Sequence, residues 1–222
     1  SENNRGMIFD KFLRKDVDRH FKEYVWERMY PGTVFTPLGN FLAHMRRYRF
    51  VQKHLCQNDI VVDAACGIGY GAKYLSKKCS KVLGIDLSPK SLSLAMQFYK
   101  SEKIQWLNSD VNRLPIKSHS INRFISMETF EHLTSPERLL KEMRRILVFG
   151  GLGFISTPNG QSRRRKMVNN PYHIKEYSYD ELKAACCQFF SKMNIYGLNT
   201  DNKWIELSST ADHIDNFLIK VQ

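Results

Sequence analysis

What this 222-residue chain has little of narrows the reading before any motif is considered. No apolar run approaches the roughly 18–20 residues that a membrane-spanning helix needs. The N-terminal stretch mixes charges of both signs, so no secretory signal is expected there and a cytoplasmic location is the expectation. Cysteine is scarce: Cys56, Cys66, Cys79, Cys186 and Cys187 are odd in number and show no Cys-x-x-Cys spacing. That argues against a zinc site or a disulfide framework and fits a reducing compartment. Internal repeats and low-complexity segments are absent. Acidic residues are the short side of the charge balance, 22 Asp and Glu against 34 Lys and Arg, for a net charge of +12. The excess favours an anionic partner such as a nucleic acid, a nucleotide-linked substrate or an acidic membrane surface. No Arg/Lys pattern amounts to a recognition motif, and a basic surface kept for solubility explains the charge equally well.

What is present is a rhythm. Phe12, Leu13, Val17, Phe21, Tyr24 and Val25 recur at helical spacing, which predicts a helix over about 10–28. Pro31-Gly32 and Pro37-Leu38-Gly39 punctuate the chain, and a second helix follows over about 40–55. From there short apolar runs alternate with helices. Strands are expected at Ile60–Val62, Val82–Ile85, Ile104–Leu107, Ile121–Met127, Leu152–Ser156, Met193–Leu198 and Phe217–Val221. Ser88-Pro89 supplies an N-cap and a first-turn proline, Thr134-Ser135-Pro136-Glu137 opens an amphipathic helix that Gly150-Gly151 stops, and Ser178-Tyr179-Asp180-Glu181 is a capping box. Strands apolar throughout and alternating with helices predict an α/β fold: a Rossmann-like, seven-stranded, mostly parallel sheet with helices on both faces. The organisation expected is an N-terminal helical cap (1–56) and one binding domain (57–222), a single compact unit with its oligomeric state open.

In such sheets ligands bind beyond the carboxyl ends of the strands. Four strands here end in a carboxylate: Asp63, Asp86, Asp110 and Glu128. After the first comes Gly67-Ile68-Gly69-Tyr70-Gly71, a loop that lets backbone approach a ligand closely. Alone it is a weak signal, because Gly67, Gly69 and Ala72 also satisfy the dinucleotide pattern G-x-G-x-x-A, and Asp86 suits ribose hydroxyls in either reading. Asp63 just before the loop would repel a pyrophosphate and suits a ligand carrying an ammonium group. Asp110 is placed to accept from an adenine amino group. Too little chain remains for a separate substrate domain.

At this point the sequence resembles the class I S-adenosylmethionine (SAM)-dependent methyltransferases. The matching stretches are Val62–Gly71, Gly84–Pro89, Asn108–Val111, Leu114-Pro115, Glu128–His132, Gly150–Leu152 and Ser156–Asn159, in family order. Ala65 departs from the pattern, standing where many members have the first loop glycine. The resemblance implies that Asp63, Ala65 and the Gly67–Gly69 backbone hold the methionine part. Asp86 would take the ribose, with Leu87 against the adenine; Asp110 would read its amino group beside Val111. The stretch His44–Phe50 is similar to a helix in bacterial glycan-pathway methyltransferases, which implies that Arg47 meets the methionine carboxylate; a solvated helix charge is the alternative.

The remaining cluster is Glu128-x-x-Glu131-His132, whose three side chains share one face if the chain turns helically there. Two carboxylates and an imidazole suit Mg²⁺ or Mn²⁺. His173, in the loop after the fifth strand, is a candidate fourth ligand. The pattern resembles metal-dependent O-methyltransferases of ubiquinone biosynthesis and the plant small-RNA 2′-O-methyltransferases. An ion chelating two adjacent oxygens would acidify a hydroxyl and hold it in line with the sulfonium methyl. Alternatively Glu128 and Glu131 are structural and His132 is a metal-free base. The basic run Arg163-Arg164-Arg165-Lys166 either grips phosphates or is a solvated loop, and the Tyr24–Tyr30 region either covers the site or packs on the sheet edge. The reading that results is SAM-dependent transfer to a hydroxyl, with a sugar in glycan biosynthesis as the favoured acceptor. RNA 2′-O-methylation, transfer to a small catechol or quinone precursor, and a binding module without turnover are the rivals.

Overall fold

The computed structural model describes residues 38–162, 170–198, 203–209 and 214–222. The helix expected over 10–28, the Tyr24–Tyr30 segment and the Arg163–Lys166 run lie outside the described residues.

The first described helix, α1, spans Leu38–Gln52. Residues Arg47–Gln222 form one compact unit, so the last turns of α1 belong with the sheet. Strands β1 (Ile60–Ala64), β2 (Lys81–Asp86), β3 (Ile104–Asn108), β4 (Ile121–Met127) and β5 (Leu147–Pro158) alternate with α2 (Tyr70–Leu75), α3 (Pro89–Phe98) and α4 (Pro136–Ile146). Then come α5 (Tyr179–Cys187), β6 (Met193–Leu198), β7 (Trp204–Leu207) and β8 (Asn216–Val221). The sheet order is β3-β2-β1-β4-β5-β8-β6-β7. The first five strands pair in parallel, and β8, β6 and β7 pair antiparallel.

Among the described residues the sheet therefore has eight strands where the sequence reading expected seven. The addition is β7, four residues of Trp-Ile-Glu-Leu that pair only with β6. A strand this short is half-exposed on both faces and carries little periodicity. The second difference is at Gly150-Gly151. They do not stop a helix: α4 ends at Ile146 and β5 begins at Leu147, with Gly150 (φ 77°) in the stretch where the β4–β5 register shifts. Both expected caps are present. Ser88 accepts from the Ser91 N–H, and in the capping box the Ser178 and Glu181 side chains each accept the other's backbone N–H.

Strand alternation sorts the core into two layers. Val62 and Ala64 of β1 pack with Leu139, Leu140, Met143 and Ile146 of α4 and Leu182 of α5. Val61 packs on the other face with Tyr48 and Val51 of α1 and with Ala72 and Leu75 of α2. Asp63 has the parity of Val61, so its carboxylate enters the α1 side of the sheet.

Candidate functional site

Asp63 is fully buried at the end of β1, and the Tyr48 hydroxyl of α1 donates to its two oxygens at 3.2 and 3.5 Å. Burial pushes the Asp63 carboxyl up to about 7; the Tyr48 bond and the Ala72 N–H oppose the shift and the Asp86 charge adds to it. The loop that follows is left-handed at Ala65 (φ 58°), Gly67 (φ 56°) and Gly69 (φ 85°). Ala65 thus adopts the conformation that a glycine takes at no steric cost. At Gly69 a side chain would also run into the Trp106 ring and Ala95. The Gly67 N–H donates to Asp86 Oδ2 at 2.8 Å and the Ser88 N–H to Asp86 Oδ1 at 2.9 Å, so the β2 carboxylate ties the two loops together. Asn108 Nδ2 braces the same corner, donating to the Asp86 and Leu87 carbonyls at 2.9 Å. Leu87 is 68% exposed, Asp110 is exposed and accepts the Asn112 N–H at 2.8 Å, and Val111 is buried.

Arg47 is not a solvated helix charge. It is 3% exposed, and its Nη2 lies 3.3 Å from Glu128 Oε1. Its Nε and Nη1 are buried with no hydrogen-bond partner among the described residues. Buried donors left unpaired cost about 1–3 kcal/mol, so a guanidinium with no such partner among the described residues fits an anionic ligand. Asp63 and Arg47 together offer the two opposite charges that an amino-acid zwitterion such as the methionine part of SAM requires.

Glu128, Glu131, His132 and His173 separate into two groups. Glu128 has a left-handed backbone (φ 51°), and its Oε1 accepts from Ser156 Oγ at 2.8 Å besides facing Arg47. Glu131 and His132 sit on a 3₁₀ turn, Phe130–His132, and Glu131 Oε2 accepts from Thr157 Oγ1 at 3.0 Å. Ser156 and Thr157 are neighbours on β5 and point to opposite faces, so their partners Glu128 and Glu131 are pulled apart. Glu128, expected to join Glu131 and His132, lies outside the cluster those residues form, though its charge still reaches Glu131. His173 joins the second group instead: one ligand atom each from Glu131, His132 and His173 lie within 4.8 Å of one another. The two imidazoles are edge to face, 5.0 Å between centroids. Burial and then the Glu128 charge push the Glu131 carboxyl well above its usual range.

His132 Nδ1 faces the Tyr172 carbonyl at 2.9 Å, a contact that requires the proton on Nδ1. The other nitrogen, Nε2, then presents a lone pair 3.9 Å from Glu131 Oε1. A carboxylate and two imidazoles fit a borderline divalent ion such as Mn²⁺. The segment that carries His173 is held down by the Ile174 and Lys175 N–H groups, both donating to the Glu131 carbonyl.

Sequence reasoning passed over Tyr48, Asn108, Ser156, Thr157, Asn170 and Glu176. Tyr48 stood beside Arg47, and Ser156-Thr157 stood within a family stretch; side-chain direction was the missing information. His54 and His119 bond the Phe50 and Leu147 carbonyls, away from both groups.

Residues 62–155 match the family model described as a methyltransferase domain. A probable SAM-dependent methyltransferase of Mycobacterium tuberculosis is 29% identical over 144 residues, 63% of this chain and 52% of that protein. A ubiquinone biosynthesis O-methyltransferase of Coxiella burnetii is 26% identical over 156 residues, 68% of this chain and 65% of that protein. The chain thus spans about half the length of the mycobacterial relative. Among solved structures, a chain from the complex of the Haloferax volcanii Trm112 methyltransferase activator with a methyltransferase superposes with a TM-score of 0.64 at 18% identity, covering 82% of this chain and 90% of that one. This likeness shows the Rossmann-like methyltransferase fold. The parallel half of the sheet thus matches a methyltransferase domain over residues 62–155, and the mycobacterial relative it resembles is a probable SAM-dependent methyltransferase.

Proposed function

We propose that the domain transfers the SAM methyl group to a hydroxyl oxygen that has a second oxygen beside it, assisted by a divalent cation. The observation that carries this reading is the convergence of Glu131, His132 and His173, one ligand atom each within 4.8 Å, just beyond the carboxyl end of β4. Bound there, an ion such as Mn²⁺ or Mg²⁺ would supply Lewis acidity, lowering the pKa of a chelated hydroxyl.

The chain's own residues do the rest. Asp63 pairs with the ammonium of the methionine part and Arg47 with its carboxylate, using the two donors that lack partners among the described residues. Asp86 receives the ribose, Leu87 covers the adenine and Asp110 accepts from its amino group. Methyl transfer breaks the bond from sulfur to the methyl carbon and forms the oxygen–carbon bond. The hydroxyl proton leaves to a base, and S-adenosylhomocysteine departs as a neutral thioether.

We favour a sugar vicinal diol as the acceptor, on the likeness of the His44–Phe50 helix to one in glycan-pathway methyltransferases. A catechol or quinone precursor offers the same two oxygens, and the relative named for ubiquinone biosynthesis supports that second acceptor. The test is methyl transfer from labelled SAM to a panel of sugar diols, catechols and RNA, with excess chelator and with added Mn²⁺. The expected outcome is transfer to a diol or catechol that chelator abolishes and Mn²⁺ restores. Equal transfer in both arms would overturn the metal and leave His132 Nε2 as the base; transfer to RNA alone would overturn the acceptor.

A further inference from the structure

We infer that Glu176 is a positioning residue that fixes His173 as the Nδ1–H tautomer, leaving the Nε2 lone pair for an incoming ligand. The inference rests on the proposed metal reading for its consequence, but not for its geometry. His173 Nδ1 and Glu176 Oε1 are 2.6 Å apart, the distance of a charge-assisted bond. A carboxylate accepts only, so the proton on that side belongs to Nδ1.

The other nitrogen gives an independent sign. Asn170 lies 2.9 Å from His173 Nε2 through its Nδ2. The orientation of that amide is set elsewhere, because Asn170 Oδ1 accepts the Tyr172 N–H at 3.0 Å. The amide nitrogen therefore faces Nε2, and an amide nitrogen can only donate. Donation there requires an unprotonated Nε2. Both partners of the ring thus specify one tautomer, and the Asn170 amide occupies the lone pair that a cation would take.

The same logic runs through His132, whose Nδ1 is bonded to the Tyr172 carbonyl. Asn170, Tyr172 and Glu176 fix the protons of two imidazoles from one short segment. Groups that orient a metal-ligating histidine typically shift affinity for the ion by about 10–100-fold when removed. Asn170 acts in the opposite direction, since its donor must leave before Nε2 can bind anything else.

The experiment has two readouts on the full chain with S-adenosylhomocysteine bound. Long-range ¹⁵N–¹H correlation spectra report the His173 tautomer directly, and calorimetric titration with Mn²⁺ reports affinity. The wild type is expected to show Nδ1–H at His173. Glu176→Ala should mix the tautomers and weaken Mn²⁺ binding about 10–100-fold. Glu176→Gln, which keeps an acceptor without charge, should fall between the two, and Asn170→Ala should not weaken binding. An Nε2–H tautomer in the wild type, or an unchanged tautomer in Glu176→Ala, overturns the inference. Absence of Mn²⁺ binding in the wild type would defeat the metal reading alone; the spectra would still decide what Glu176 does.

Discussion

Burial keeps the Asp63 carboxyl near 7, so around neutral pH the free site holds a proton that a cationic ligand has to displace. The sign follows from which form each state prefers. Between the ordinary carboxylate value of 3.8 and about 7 the folded chain holds this proton more tightly than the unfolded chain, so the contribution of Asp63 to stability falls as pH rises through that window. A ligand ammonium favours the ionised form. Affinity for S-adenosylhomocysteine should therefore rise with pH from about 5.5 to 7.5, by as much as about tenfold per unit on the acid side, and then flatten. Asp63→Asn should remove that slope and weaken binding at pH 8. Titration calorimetry across the range checks both, and a flat wild-type profile would separate Asp63 from the ammonium. The strand-end carboxylates Asp63, Asp86 and Asp110 were legible in the sequence because an apolar run that ends in an acid fixes where the acid stands. Arg47 was not, because helical spacing does not say which side of α1 meets the sheet. Nor was the parting of Glu128 from Glu131, since it depends on a left-handed backbone at Glu128 and on Ser156 and Thr157 pointing to opposite faces.

Elements carried their own signals to different degrees. The capping box at Ser178 and the Ser88-Pro89 pair marked helix starts because each cap is local chemistry. β7 escaped because its four residues gain regularity only through pairing with β6. The loop into α2 depends on a contact from another element. Gly69 is left-handed, and Trp106, on β3, covers the place a side chain would occupy. Gly69→Ala should therefore cost about 1–2 kcal/mol for the backbone alone, with a further steric loss against the ring. Trp106→Leu made in the same chain should recover the part set by the ring and leave the backbone part and the clash with Ala95. A double-mutant cycle by denaturant unfolding separates the two, and strict additivity would show that the ring does not limit the site.

At the scale of the whole unit, the proposed cofactor site draws on parts that are distant in sequence: Arg47 on α1, Asp63 ending β1, Asp86 ending β2 and Asp110 after β3. A ligand touching all four adds a further link between elements already joined by strand pairing, the Tyr48–Asp63 bond and the Asp86 and Asn108 bonds. Binding to the folded state at about 100 times the dissociation constant contributes about 2.7 kcal/mol of stability. For a chain of this size that corresponds to a rise in Tm of about 5–10 °C. Arg47→Met distinguishes this linkage from general tightening. Without ligand the variant loses two buried donors that lack partners among the described residues, but it also leaves the Glu128 carboxylate without its cation, so its own Tm should fall and each chain is compared with its own ligand-free value. With S-adenosylhomocysteine at the same fixed concentration, its Tm rise should shrink markedly, because the carboxylate has lost its guanidinium. Differential scanning calorimetry of both chains, with and without ligand, reads the two effects separately. A full ligand shift in Arg47→Met would mean that the buried guanidinium serves Glu128 alone, and would remove Arg47 from the cofactor site.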